Sequence, residues 1–119
     1  LKAPRITLGP LDRGAVRLGH AAEVMGIAEG VEDALSAMEL TGIVTWAALG
    51  AKRLSQVWLP DICRKVVIFA DNDDTGRECA YLARGMQFAL GRDCEIRTAP
   101  DGGDWNDELC RQRRVGMAS

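Results

Sequence analysis

The sequence predicts one α/β domain built on a parallel sheet of four strands, and three observations predict it. Short apolar stretches alternate four times with segments whose apolar residues recur at helical spacing, the pattern of repeated strand–helix units with right-handed crossovers. The stretch "KVVIFA" (65–70) is apolar without a break after its lysine, as a central parallel strand covered on both faces must be. A chain of 119 residues, 47% hydrophobic and 27% charged, is large enough for one core but not two.

The elements follow in order. "RITLGPLDRGAVRL" (5–18) reads as two short strands about Gly-Pro and Arg-Gly, a hairpin, so residues 1–22 are expected to be the tail of a preceding module. The chain opens on Leu1 rather than Met, which points to a domain cut from a longer protein. "EVMGIAEG" (23–30) is the first strand, ending in Glu29-Gly30. "VEDALSAMELTG" (31–42) is a helix through Val31, Ala34, Leu35, Met38 and Leu40, stopped by Gly42. "IVTWAAL" (43–49) is the second strand, closed by Gly50, and "AKRLSQVWL" (51–59) a short helix ended by Pro60. The third strand, 65–70, leads to a helix with a Thr75/Glu78 capping box that runs to about Leu90, with Gly91 as its stop. "DCEIRTA" (93–99) is the fourth strand. "PDGGDWNDELCRQ" (100–112) is a turn-rich loop entering a terminal helix, and 113–119 a flexible tail. The domain proper thus spans 23–112.

A formal charge of −2 provides no global basic field. No apolar run approaches membrane-spanning length and the first residues lack a signal-peptide pattern, so the expected location is the cytoplasm, with no membrane partner. Cys63, Cys79, Cys94 and Cys110 form no CxxC pair and His20 is the single histidine, which argues against zinc. Cys79 and Cys110 fall in helical patterns and read as reduced, buried thiols. Tyr81, inside a predicted helix, reads as packing, and so do Trp46 and Trp58 rather than as platforms for bases. Trp105 falls in the turn-rich loop, and His20 reads as structural or exposed. Arg111, Arg113 and Arg114 read as solvated charges near the end of the chain.

The acidic residues carry the chemistry. In open parallel sheets, ligands bind beyond the carboxyl ends of the strands, at the point where strand order reverses. Glu29 follows the first strand, Asp71 and Asp73 the third, and Asp104 and Asp107 the fourth. A 2-1-3-4 strand order would bring them together. Crowded carboxylates are stable only when protonated, neutralised by basic groups or bridged by a cation. Oxygen ligands without histidine or thiolate favour magnesium or manganese. Asp71 and Asp73 are two apart, so extended backbone points both the same way. Gly30 lets a phosphate approach a tight strand-to-helix turn. Taken singly, each acid also reads as an ordinary turn or cap: Glu32 and Asp33 suit a first helical turn, and Asp104 suits a helix cap.

Three stretches, "IAEGVEDALSA" (27–37), "VVIFADNDDTG" (66–76) and "PDGGDWNDEL" (100–109), resemble the Toprim domain, the metal-binding module of bacterial-type primases, topoisomerases and some nucleases. The signature is Glu-Gly after the first strand and Asp-x-Asp after a later one. The third stretch is similar to a primase P-x-G-x-D-P-D-E element, with one extra residue and Trp-Asn in place of the proline. The resemblance covers 23–112 and looks closest to the branch in phage and mobile-element primase-helicases. It implies a Rossmann-like three-layer α/β/α fold. It also implies Glu29 as general acid/base or metal ligand, Asp71 and Asp73 as holders of Mg²⁺ (or Mn²⁺), and Asp104 and Asp107 as acids for a second ion. Glu32 and Asp33 would be secondary members. Asp74 stands where many relatives have a small residue, and Gly30 and Arg77 would contact phosphate or nucleic acid.

The implied function is Mg-dependent nucleotidyl transfer for RNA primer synthesis, with DNA template and nucleoside triphosphates as partners. Other domains of the same chain, a polymerase region and a helicase, would bind template and initiating nucleotide. The rivals are a Toprim nuclease, a topoisomerase-type cleavage module, a non-catalytic nucleic-acid-binding module and a haloacid-dehalogenase-like phosphatase. "DNDDT" fits the Asp-x-Asp-x-Thr of that phosphatase, but no lysine follows Lys65. A topoisomerase would need a tyrosine nucleophile, and this chain has only Tyr81.

Overall fold

In the computed structural model, residues 14–100 and 103–118 are described. Strands β1 (Val24–Ala28), β2 (Thr45–Ala47), β3 (Lys65–Ala70) and β4 (Asp93–Thr98) pair in parallel in the order β2-β1-β3-β4. Helices α1 (Val31–Thr41), α2 (Asp74–Ala89) and α3 (Trp105–Ala118) connect or follow them, with a 3-10 turn at Ala51–Gln56. This is the expected α/β arrangement with the expected strand order. Because all four strands run the same way, their carboxyl ends share one edge.

The pleat of β3 explains the layering. Val66, Ile68 and Ala70 face one side, where they pack with Met25, Ile27, Leu54, Leu59, Ala80 and Ala83. Val67 and Phe69 face the other side, against Ala28, Ala34, Ala37, Ala47 and Trp105. Helix α2 and the 3-10 turn therefore cover one face, and α1 and α3 the other. An unbroken apolar run fits a strand whose two faces are both buried.

Several local expectations give way to tertiary contacts. The second strand keeps only its centre, Thr45–Ala47. Residues 51–59 form a 3-10 turn that stops at Gln56 instead of a helix reaching Pro60. Val57 turns extended (φ −69°, ψ 123°) and it and Leu59 are buried in the core, while the Leu59 and Pro60 carbonyls accept from the Arg92 guanidinium at 2.8 and 3.1 Å. Helix α2 is capped by Asp73 and not by Thr75: the Gly76 N–H donates to Asp73 Oδ1 at 2.6 Å, so Thr75 already lies inside the first turn. Helix α3 continues to Ala118, where a tail was expected from Arg113; Arg113 itself pairs with Glu39 of α1. Residues 5–13 of the expected hairpin lie outside the described residues. Within them, Val16 makes one antiparallel bridge to Ala47 at the β2 edge.

All four cysteines are free, but the buried ones are Cys63 and Cys94. Cys110 is exposed and Cys79 half-buried against the core beneath α2. Tyr81 is likewise 59% exposed, with the Arg84 guanidinium 5.0 Å over its ring, so it is not a packing residue. Trp46 and Trp105 are buried, whereas Trp58 is exposed. His20 is exposed, as expected. Among the described residues, no helix is long and apolar enough to cross a membrane.

Candidate metal centre

Register fixes the first two acids. Ala28 of β1 pairs with Phe69 of β3, so Glu29 comes level with Ala70 and Asp71 follows one residue on, within reach of the Glu29 carboxyl. Helix α2 then packs tightly on the Asp71 main chain: a Cβ at Gly76 would lie 2.6 Å from the Asp71 carbonyl oxygen. Only glycine permits that approach.

A third acid arrives from α1. Asp33, in its first turn, is 9% exposed, and its Oδ1 accepts the Asn106 N–H at 3.3 Å. A fourth arrives from the α3 end. Asp104 Oδ1 accepts the Asp107 N–H at 2.8 Å, while Asp107 Oδ2 accepts the Asp104 N–H at 3.2 Å. The two close a reciprocal cap of the kind that satisfies orphan amides at a helix start.

Glu29, Asp33, Asp71 and Asp104 form one electrostatic neighbourhood. Burial, above all, raises the Asp71 pKa from the ordinary 3.8 to about 7; the Glu29 carboxyl and the charges of Glu29 and Asp104 add to it, against a lowering contact with Asp33. Asp33 is likewise raised from 3.8 to about 7, by burial first, then by the charge and carboxyl of Asp71 and the charge of Asp104. The Asn106 N–H works in the opposite direction. Asp71 Oδ1 is buried and has no hydrogen-bond partner. Its carboxylate neighbours, when ionised, have no proton to donate. Such an oxygen costs about 1–3 kcal/mol unless a proton or a cation meets it.

The remaining acids are spent elsewhere. Asp73 is exposed and commits Oδ1 to the α2 cap. Asp74 is exposed and pairs with Arg77 at 2.6 Å; Arg77 also holds the Asn72 Oδ1 at 2.6 Å, so this arginine braces the acidic loop. Asp107 is exposed and engaged in the α3 cap. Glu32 is exposed on α1, beside an apolar groove lined also by Leu35, Met38 and Leu109. Gly30, the extended residue before α1, caps the helix without a side chain, and its carbonyl accepts the Ala34 N–H at 3.0 Å.

The donor set suits a hard cation: oxygens only, one of them buried and unsatisfied. Among the described residues, no three acidic, histidine or cysteine side chains stand as a finished coordination shell. Mg²⁺ does not require one, since it keeps several waters and usually takes one or two carboxylates plus substrate phosphate. Glu29, Asp33, Asp71 and Asp104 are the residues that could hold it, with Asp73 within the same loop.

Two contributors escaped sequence reasoning. The sequence pattern puts Trp105 in a loop, yet its Nε1–H donates to the Ala70 carbonyl at 3.2 Å. Asn106 joins α3 to α1 through Asp33 and through Ser36, whose Oγ donates to Asn106 Oδ1 at 3.3 Å. An apolar residue directly after an Asp cap is the one available signal, because it marks the first buried position of a helix.

A parallel α/β sheet that gathers acids from two neighbouring strand ends and two helix starts defines a class of modules with an oxygen-only donor set. Within that class, residues 24–114 match the Toprim domain, and the chain belongs to that family. The family match sets aside the phosphatase reading. No curated protein matches the chain. Among solved structures, the primase fragment of the bacteriophage T7 primase-helicase is 19% identical, with a TM-score of 0.64 over 85% of this chain and 44% of that one. A DNA primase domain from Pseudomonas aeruginosa is 17% identical, with a TM-score of 0.58 over 82% of this chain and 33% of that one. A DnaG primase catalytic domain bound to single-stranded DNA is 20% identical, with a TM-score of 0.58 over 82% of this chain and 32% of that one. At these identities the likeness is one of fold. The chain spans between a third and a half of the primase structures it matches, or slightly less.

Proposed function

We propose that this Toprim domain is the metal-dependent catalytic module of a DNA primase, serving nucleotidyl transfer in RNA primer synthesis. The observation that carries the reading is the buried, unpartnered Asp71 Oδ1 amid Glu29, Asp33 and Asp104. The fold likeness to primase structures supports the same choice over nuclease or topoisomerase chemistry.

In this reading Asp71, Asp33 and Asp104 hold Mg²⁺ or Mn²⁺, the charge of Glu29 beside them strengthens that binding, and Asp73 offers the oxygen its cap leaves over. The bound ion would supply charge neutralisation and Lewis-acid activation for an in-line displacement that releases pyrophosphate. Glu29 accepts the proton of the primer 3′-hydroxyl as general base. The buried ends of β1 and β3 keep Glu29 and Asp71 in fixed relation, which reduces the reorganisation needed during reaction. Nucleoside triphosphate and a single-stranded DNA template are the partners, and further domains of the longer protein bind the template and the initiating nucleotide.

Isothermal titration with Mn²⁺ or Mg²⁺ tests the centre. Binding is expected in the wild type and weakened in Asp71→Ala and Glu29→Ala; no binding at millimolar metal sinks the reading. In the full-length protein, the same variants should abolish primer synthesis on single-stranded template.

A further inference from the structure

The segment 103–107 reaches the end of β3 at points that bracket one residue. Ahead of Asp71, the Ala70 carbonyl accepts two hydrogen bonds, from the Ala99 N–H at 3.0 Å and from Trp105 Nε1–H at 3.2 Å. Behind it, the Asn72 N–H donates to the Gly103 carbonyl at 3.2 Å. Trp105 is 8% exposed and meets Phe69 edge-on, with ring centroids 5.2 Å apart, so its indole is fixed by packing as well as by its N–H. The next residue, Asn106, holds Asp33 Oδ1.

This arrangement answers a mechanical need. Asp71 is the first residue past β3, where ladder hydrogen bonds give out and a strand end is free to fray. The charges of Glu29 and Asp104 act against that of the Asp71 carboxylate. Something must hold the main chain against that push.

We propose that Trp105 is a positioning residue of the metal centre: its indole N–H and ring lock the Ala70–Asp71 peptide, so that Asp71 keeps its place when the ion binds. This inference rests on the metal-dependent reading above. The α3 start then serves the centre twice, through the Asp104 carboxylate and through a brace on the strand that carries Asp71. Outer-shell partners of this kind typically change metal affinity by one to two orders of magnitude when removed.

Trp105→Phe keeps a ring against Phe69 and removes the N–H. Mn²⁺ titration of the folded variant, confirmed by circular dichroism, should show affinity about tenfold weaker than wild type. Trp58→Phe, on an exposed tryptophan away from this segment, should leave it within twofold. In the wild type, Mg²⁺ should shift the Trp105 indole N–H resonance in ¹⁵N NMR while leaving that of Trp58 in place, and Asp71→Asn should remove the shift. A purely structural tryptophan would lower stability without moving the dissociation constant of the folded protein. A folded Trp105→Phe that binds Mn²⁺ as the wild type does overturns the proposal. So does an unmoved indole resonance at metal saturation, a result that remains readable if Trp105→Phe fails to fold. Wild-type protein that binds no Mn²⁺ fails at the earlier step, overturning the metal reading and this inference with it.

Discussion

Replacing Asp71 by Asn should make the metal-free protein more stable at pH 8, although it removes the residue on which the proposed activity depends. Asp71 and Asp33 are each raised from 3.8 to about 7 in the folded chain. A raised carboxyl pKa means that the folded state holds a proton which the unfolded state has already released. Stability is therefore fully present below about pH 4 and is lost as pH rises through 7. Each pK unit corresponds to about 1.4 kcal/mol, so a shift of roughly three units sets a ceiling near 4 kcal/mol. The two acids raise each other, so their shifts describe largely one shared proton and do not add. Asp71 is also partly exposed, and solvent screening brings the working figure to about 2 kcal/mol.

The assay is urea unfolding in EDTA at pH 5 and pH 8. About 60% of that figure is lost between pH 5 and pH 8, the rest having gone below pH 5, so with a slope of about 1.3 kcal/mol/M the wild-type midpoint should fall by about 1 M between the two, and Asp71→Asn should flatten that fall. Millimolar Mg²⁺ at pH 8 should restore part of the wild-type loss by binding the folded state alone. A wild-type midpoint that is level or rises from pH 5 to pH 8, or an Asn variant no more stable than wild type at pH 8, refutes the crowding argument.

Arg92→Ala should destabilise the fold by about 2–4 kcal/mol in urea, since the Arg92 guanidinium donates to the carbonyls of Leu59, Pro60 and Cys63 and to Gln87 Oε1. Lysine, a point charge without the planar fork, should not rescue it. Asp73→Ala should cost about 1 kcal/mol of stability, measured by thermal unfolding, whereas Thr75→Ala should stay within about 0.5 kcal/mol, because Asp73 is the residue that caps α2. Equal effects at the two positions would return the cap to Thr75.

Much of this fold was legible because its signals are local. The apolar run at 66–70 can be satisfied only by burial on both faces, and the glycines at 42 and 91 mark helix ends by what they permit the backbone to do. Four strand–helix units in parallel leave one sensible edge for the acids, so the sequence alone brings Glu29 and Asp71 together. Ends and caps were less secure. Asp73 and Thr75 are both good caps by residue type, and the choice fell to Asp73 because α2 must start early enough for Gly76 to pack on the Asp71 carbonyl. The helix expected over 51–59 stops at Gln56, where the chain turns extended and Val57 and Leu59 enter the core.

What the sequence determined by itself was the alternation, the parallel sheet and the side on which negative charge collects, since each follows from periodicity and from short-range backbone rules. Tertiary structure alone decided membership of the site. Asp33 joins because the α1 start lies over the end of β3, Asp107 is drawn into a helix cap, and Trp105 leaves its loop for the core beside Phe69. The first and last of these depend on contacts between residues 35 to 73 positions apart, and pairings at such range leave no mark in the local pattern.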